Sequence, residues 1–528
     1  MKKNTLINFE QAKKLQNQVV KFIHKKMLKS LICMSIVCIF SPVSSQINAK
    51  PWQKIEKSLE NYRKNLKIPG LSVGVVQDGK LIWSKGLGYA DLRRKIKVTP
   101  NTIFHIASLT KTFTAALLLK LEEAGKLSLT DSLGKYGIKE SKLKNLQIRH
   151  ILSQVSDSNP PGKAYKYNSP RFELLGKVLK KATGKTFAQL VTQYIANPLK
   201  MNNTAPNINS RKDFLASKRN WYVFTQNMAK PYRLKNGVPT QFIYSHRFNT
   251  AVGMMSNIPD LSKYAQALDG DALLSPTLKQ KLYQPWITST NDTLPYAKGW
   301  FAQCYKGVQT YWHYGYGRSC SSLILRMPDK KLTVLVLANA DLLSEPFSAG
   351  LGVYGDLIAS PIANIFLRHF AFAKDSLPTL DYINTPLVIL KKQWTATQAT
   401  SFAKMYQKEL LANVLLAKST KRHKKFDELM RWYIQNNYPA YEARSDAWKA
   451  FVGRYPMSKY YVFRVVQEKN RLYYKTPASK GTGLRLYPVN ANTFLLDPYT
   501  RIIFRNRKMI IQNDWDKVEV NKAKEKQK

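Results

Sequence analysis

A chain of 528 residues is longer than one hydrophobic core usually fills, so two or three folded bodies are expected. Its 44% hydrophobic and 12% aromatic content excludes a low-complexity or disordered chain, while 84 Lys and Arg against 33 Asp and Glu give a formal charge of +51. Such a field attracts polyanions, anionic envelope polymers among them, but zinc-finger spacing, an RNP-type aromatic motif and a basic helix with interleaved aromatics are all missing, which argues against nucleic acid as a partner.

Lys25, Lys26 and Lys29 precede an apolar run from Leu31 to Phe40, and small and polar residues follow through Ala49. This is the layout of a secretory signal: about ten apolar residues are too few to span a bilayer comfortably, and Val43-Ser44-Ser45 or Ile47-Asn48-Ala49 supplies a cleavage site. Residues 1–49 are read as an extension and export signal, directing the chain to the periplasm or outside the cell. The long stretch before Met27 leaves two alternatives open, a start at Met27 and an uncleaved membrane anchor over residues 27–45. Cys33 and Cys38 lie in this segment, so the exported body keeps Cys304 and Cys320, as a bridge between neighbouring strands or as two thiols. The seven histidines include no HExxH and no Cys/His spacing fits zinc, so neither metal nor cofactor is expected.

From Gly70 to Gly88 two β-rich runs flank Asp78-Gly79, a hairpin signal. Ser108 to Ala124 is apolar nearly all round and ends at Gly125, which predicts a buried central helix. Residues 171–183 and 186–196 read as further helices, and another amphipathic stretch starts at Asp260-Leu261. Strands return at Trp300–Tyr305, Gln309–His313, Ser321–Arg326 and Leu332–Ala338; strands at both ends with helices between imply one mixed α/β domain over 50–378. Residues 379–445 are Lys-rich and helix-forming, a connector. Short strands then recur at Tyr460–Gln467, Arg471–Tyr474, Arg485–Pro488, Phe494–Leu496, Ile502–Phe504 and Met509–Ile511, predicting a small β-barrel or sandwich over 446–521 before a charged tail, 522–528.

Ser-x-x-Lys occurs four times, at Ser108, Ser132, Ser141 and Ser401, so context must choose among them. Only Ser108 opens a long buried helix, where outward-pointing N–H groups and the helix field favour negative charge. Lys111, three residues on, shares that face within reach of the hydroxyl, and a desolvated lysine loses its proton more easily and becomes a base.

The segments TIFHIASLTKTFTA and GLSVGVVQDGKLIWSKGLGYAD resemble the serine β-lactamase and penicillin-binding-protein superfamily, class C branch. PGKAYKYNSPRFELLG resembles its Tyr-x-Asn region, with Tyr167 at the tyrosine. AVGMMSNIPDLSKYAQAL, around Gly253, Ser256 and Asp260, and WHYGYGRSCSSLILRMPDKKLTVLVLAN, carrying His313-Tyr314-Gly315 as the Lys-Thr-Gly or His-x-Gly strand, complete the order. The resemblance covers roughly residues 51–345 and implies a β-lactamase-like fold, an antiparallel sheet flanked by helices plus an all-helical lobe, with the C-terminal body like the small barrel of some relatives. It implies an acyl-enzyme at Ser108, with Lys111 and Tyr167 handling protons. Ser108 and Tyr316 would supply oxyanion N–H groups, Gly315 the close approach, and His313 and Ser169 contacts to an amide, peptide or ester substrate.

The chain departs from that pattern in three places. Ser169 replaces the asparagine of Tyr-x-Asn, Gln154-Val155-Ser156-Asp157 replaces His-Thr-Ser-Gly, and His313 replaces a lysine, so an esterase, amidase or peptidase is favoured over a β-lactamase. An impaired relative that binds anionic envelope polymer is the non-enzyme alternative. Gly70-Leu71-Ser72-Val73-Gly74 also matches the Gly-x-Ser-x-Gly elbow of α/β-hydrolases, but a hairpin and not a helix follows Ser72.

Overall fold

The computed structural model describes most of residues 49–344, 357–371 and 420–523. The export segment, Ser141, Ser401, the first part of the connector and the end of the tail lie outside the described residues. An N-terminal unit, Met1–Lys57, is distinguished from a large unit, Ser58–Lys528. Helix α1 (Ala49–Asn65) begins in the first and ends in the second.

The large unit opens with strands β1 (Gly70–Gln77), β2 (Lys80–Asp91), β3 (Ile96–Lys97) and β4 (Phe104–His105). Helices α2 (Thr110–Glu123), α3 (Ile148–Leu152), α4 (Ser169–Thr183), α5 (Phe187–Val191) and α6 (Trp221–Gln226) follow, then β5 (Tyr232–Lys235), β6 (Val238–Gln241) and β7 (Met255–Ser256). Next come α7 (Ile258–Asp269), α8 (Pro276–Tyr283), and strands β8 (Phe301–Tyr305), β9 (Val308–Gly317), β10 (Cys320–Met327) and β11 (Leu332–Ala338). Helix α9 (Pro361–Phe366) ends this part.

Seven strands join in one sheet, β3-β2-β1-β11-β10-β9-β8, and the pairs named for it are antiparallel. The expected closure of the two chain ends is the β1–β11 pairing, with Val73 opposite Val336. The predicted hairpin turns on Asp78 and Gly79, both at positive φ (49° and 70°), the geometry that matches strand twist. Ser72 lies inside β1, fully buried and opposite Leu337, so the elbow reading has no structural basis.

Helix α2 is buried along nearly its whole length because it threads between the sheet and the helical lobe: Leu117, Leu118, Leu119 and Leu121 are fully buried, and Phe113 stacks on Tyr264 of α7 at 3.9 Å. Gly125, at φ 65°, ends the helix turn as predicted.

Beyond helix α10 (Thr420–Asn437), eight strands form a second antiparallel sheet: β12 (Gly453–Pro456), β13 (Val462–Glu468), β14 (Arg471–Lys475), β15 (Leu484–Pro488), β16 (Thr493–Asp497), β17 (Thr500–Arg505), β18 (Lys508–Gln512) and β19 (Lys517–Asn521). Six were expected from the sequence; β12 and β19 are additional. The sheet curls into a nearly closed barrel, where Ala523 N–H donates to the Arg454 carbonyl at 2.8 Å. Its interior is a separate core containing Trp448, Phe463, Tyr474, Phe494 and Phe504.

Candidate active site

The chain reaches Ser108 through a tight 3-10 turn, Ala107–Leu109, that precedes α2. Ala107 sits at φ 47°, a left-handed conformation unusual for a residue with a Cβ. Several bonds hold it there. Ile106 N–H donates to the Met254 carbonyl at 2.9 Å, and the Ser322 hydroxyl donates to the Ile106 carbonyl at 2.8 Å. Ala107 N–H donates to Nδ1 of His105 at 3.1 Å. Burial lowers the His105 pKa to about 4, so the ring is neutral and Nδ1 can accept.

Lys111 is fully buried, and its Nζ lies 3.0 Å from Ser108 Oγ, 3.0 Å from Ser169 Oγ and 2.9 Å from the Ala251 carbonyl. Burial first, and the Arg247 guanidinium second, hold its pKa well below that of an ordinary lysine. A neutral amine has two N–H donors and one lone pair. The Ala251 carbonyl can only accept; with Ser169 taking the second N–H, the lone pair is left for the Ser108 hydroxyl. The three distances therefore fit an amine that can accept the proton of the Ser108 hydroxyl.

Tyr167 precedes α4, and its ring centroid is 4.9 Å from Lys111 Nζ. The ring is wedged among Phe301, at 6.2 Å and nearly parallel, Tyr314 at 5.9 Å and His313 at 6.0 Å. The structure thus gathers Ser108, Lys111, Tyr167, Ser169 and the 313–316 strand at one place.

Gly315 lies where β9 passes the Ser108 turn. A Cβ there would stand 2.3 Å from the Ile106 carbonyl oxygen and 2.1 Å from Ser322 Oγ, so no larger residue fits without movement. Tyr316 follows at the exposed end of β9, 39% accessible, beside the turn that carries Ser108.

His313 does not present itself as the sequence suggested. It is fully buried; Nδ1–H donates to the Tyr314 carbonyl at 2.6 Å, and Nε2 accepts from the Tyr296 hydroxyl at 2.9 Å. Burial, with Lys111 nearby, drives its pKa well below the usual histidine value. Both ring nitrogens are engaged, so His313 braces Tyr296 and Tyr314 as a neutral ring and places no cation on the strand.

The altered 154–157 segment has a definite task that sequence reasoning missed. Gln154 Oε1 accepts from Asn168 N–H at 2.5 Å, and the Gln154 carbonyl accepts from Lys166 N–H at 2.8 Å. The Asp157 carboxylate takes both Nδ2 bonds of Asn168 (2.9 and 3.0 Å), Lys166 Nζ at 3.0 Å and Arg171 Nε at 2.8 Å. Asn168 Oδ1 in turn caps α4 by accepting from Arg171 N–H at 2.9 Å. Gln154 and Asp157 therefore clamp the loop on either side of Tyr167. No single residue type signals this: the clamp shows only when Asp157, Lys166, Asn168 and Arg171 are brought together.

Two further groups were not foreseen. The Ala251 carbonyl, a backbone atom, leaves no trace in residue type. Arg247 pairs with Glu173, one helical turn past Ser169, on a loop fixed by Thr250, whose hydroxyl donates to the Phe172 carbonyl at 2.8 Å.

Of the two alternatives, a bridge or two thiols, the structure has the thiols: Cys304 and Cys320 are both free. Cys304, exposed on β8, lies opposite Gln309, whereas Cys320 lies opposite Gly317, so they sit toward opposite ends of β9 and on either side of it. Eight residues of strand separate those positions, roughly 27 Å, far beyond disulfide reach. Cys320 is buried 3.2 Å from His105 Nδ1, and burial pushes its thiol up to about 12. Among the described residues no cluster of three or more His, Cys, Asp or Glu is placed to hold a metal ion.

A family model described as Beta-lactamase matches residues 55–351. The chain is 26% identical to Protein flp of Staphylococcus aureus (strain MW2) over 336 residues, 54% of this chain and 63% of that protein. It is 34% identical to the Teichoic acid D-alanine hydrolase of Staphylococcus aureus (strain MRSA252) over 174 residues, 28% of this chain and 44% of that protein. The chain thus spans less than two thirds of the length of these curated relatives. Among solved structures, the octameric penicillin-binding protein homologue from Pyrococcus abyssi aligns with 89% of this chain and 99% of its own, at 19% identity and a TM-score of 0.49.

Proposed function

The chain belongs to the Beta-lactamase family and has its fold, and from that premise we propose that it is an exported serine hydrolase that cleaves an ester through an acyl-enzyme on Ser108. The observation that carries the reading is the valence of the Lys111 amine, with two acceptors satisfied and Ser108 Oγ 3.0 Å away. In this scheme Lys111 takes the Ser108 proton as Oγ attacks the substrate carbonyl. The resulting oxyanion rests on the N–H groups of Ser108 and Tyr316. As the carbon–oxygen bond breaks, a proton passed by Lys111 and Tyr167 leaves with the alcohol. A water then loses its proton to the same pair, attacks the acyl carbonyl and frees Ser108 with release of the acid.

An ester is favoured over a β-lactam or a peptide with a free carboxylate because β9 carries the neutral, internally bonded His313 where a lysine would capture a carboxylate. Ser169 supports an active site over an impaired one, because its hydroxyl keeps the contact to Lys111 that an asparagine would make. The likeness to the relative named Teichoic acid D-alanine hydrolase makes an amino-acyl ester the first substrate class to try.

The test is hydrolysis of p-nitrophenyl acetate by the purified chain, with intact-mass detection of the trapped adduct. A +42 Da species on Ser108 is expected, and Ser108→Ala should lose that adduct and at least about a thousandfold in rate. Undiminished hydrolysis by the alanine variant, or an adduct confined to another residue, ends the reading.

A further inference from the structure

The barrel carries an unusual alignment of charge. On its outer face Arg454 of β12 lies directly opposite Arg464 of β13, and Arg464 lies directly opposite Lys475 of β14. Adjacent strands are spaced about 4.8 Å apart, so three cations form a transverse row roughly 10 Å long. Like charges placed directly across a sheet repel, and nothing in the barrel's packing requires them, because alternate residues of the same strands, Tyr455, Phe463, Val465 and Tyr474, fill the interior.

Elsewhere in the same sheet Arg505 also faces Lys508, but that lysine has an acidic partner. Glu468 stands opposite Arg471, and Lys508 pairs with Glu519 at 3.4 Å. In the row, only Lys475 has an acidic neighbour, Glu468 at 3.3 Å; among the described residues Arg454 and Arg464 are exposed without an acidic partner. The uncompensated pair Arg454 and Arg464, with Lys475 beside it, is an electrostatic cost in the free protein that a bound polyanion removes.

We propose that this face of the barrel, along Arg454, Arg464 and Lys475, binds a linear phosphodiester polymer. Each repeat of such a polymer keeps one negative charge at any pH where the chain is folded, and offers two equivalent oxygens that fit the planar fork of an arginine. A bilayer surface fits less well, since among the described residues the barrel exposes no large apolar side chain that would enter the acyl region. The row lies apart in sequence and core from Ser108, so it is a holding surface, independent of the hydrolytic reading.

The experiment compares the full chain with R454Q/R464Q/K475Q and with a charge-matched control, K126Q/K177Q/K181Q, whose lysines are exposed on the other body. Binding of fluorescein-labelled synthetic poly(glycerol phosphate) is followed by anisotropy across a salt series. The row variant should bind at least about tenfold more weakly, with a salt slope smaller by about two, while the control stays close to the parent. Both should hydrolyse a small soluble ester at the parental rate, which separates this proposal from the one on Ser108. Melting of the row variant at or above the parental temperature is expected, because repulsion is relieved; if the triple variant does not fold, R464Q alone must still weaken binding about threefold. Equal losses in row and control variants, or a row variant that loses single-stranded DNA but keeps the polymer, overturn the proposal.

Discussion

The two sheets of this protein are both antiparallel, yet they bury different chemistry. The seven-stranded body encloses Lys111, His105, His313, Asp260 and Arg326, all at most 3% accessible, whereas among the described residues of the barrel Thr500 is the sole buried polar side chain. Buried ionisable groups cost stability unless bonded or neutralised, and three of the five stand around the Ser108 turn. The barrel, free of that cost, is held by apolar burial and places its charge outside. The contrast teaches that one region holds buried ionisable groups at the expense of its own stability while the other is a packing unit with a charged exterior.

The largest expected effect breaks the comparison from the barrel side. Phe494 is fully buried among Trp448, Phe451 and Phe504, so Phe494→Ala should cost about 3–5 kcal/mol of barrel stability. Urea unfolding followed alongside ester hydrolysis should show the barrel transition moving to lower denaturant while activity persists. Activity lost in step with the barrel would mean that the two cores do not act separately.

The buried amine provides a second test, with a sign that follows from linkage. The Lys111 pKa is held below the ordinary lysine value in the folded protein, so the unfolded state binds the extra proton between the depressed folded pKa and about 10.4. Stability from this group is therefore least at low pH and recovers as pH rises toward the unfolded value, by up to about 1.4 kcal/mol per pH unit. Lys111→Met removes that dependence. Chemical denaturation from pH 6 to pH 10 should show the parent gaining on the variant as pH rises; parallel curves would mean that Lys111 is charged in the fold.

The smallest effect concerns Arg247, whose positive charge disfavours a second one on Lys111. Arg247→Gln should raise the Lys111 pKa and move the acid limb of the kcat/KM profile upward by a fraction of a pH unit. A shift downward, or none, would detach Arg247 from the site.

Much of the fold was legible in the residues. The Asp78-Gly79 hairpin, the all-round apolar helix after Ser108, four strands after Gly299 and six of eight barrel strands rest on local periodicity and turn chemistry, which act over a few residues. The β12 and β19 strands escaped because their residues carry little strand signal: β12 has Gly453 and Pro456 at its ends, and β19 sets two valines among Lys517, Glu519 and Asn521. Whether Cys304 and Cys320 bridge was not legible because it depends on strand order in the sheet, where β9 lies between β8 and β10.

The sequence by itself determined which hydroxyl and amine share a helix face, because three residues of helix fix that distance regardless of context. The family resemblance, not the residues alone, pointed to Tyr167 and the His313–Tyr316 strand as their neighbours. Only the tertiary structure decided how those parts behave: that the Ala251 carbonyl occupies one Lys111 donor, that Gln154 and Asp157 hold the Tyr167 loop, and that Tyr296 makes His313 a neutral brace. Each of these depends on bonds between residues 11 to 140 positions apart. Desolvation and hydrogen-bond saturation are properties of an enclosed space, and no stretch of chain carries them alone.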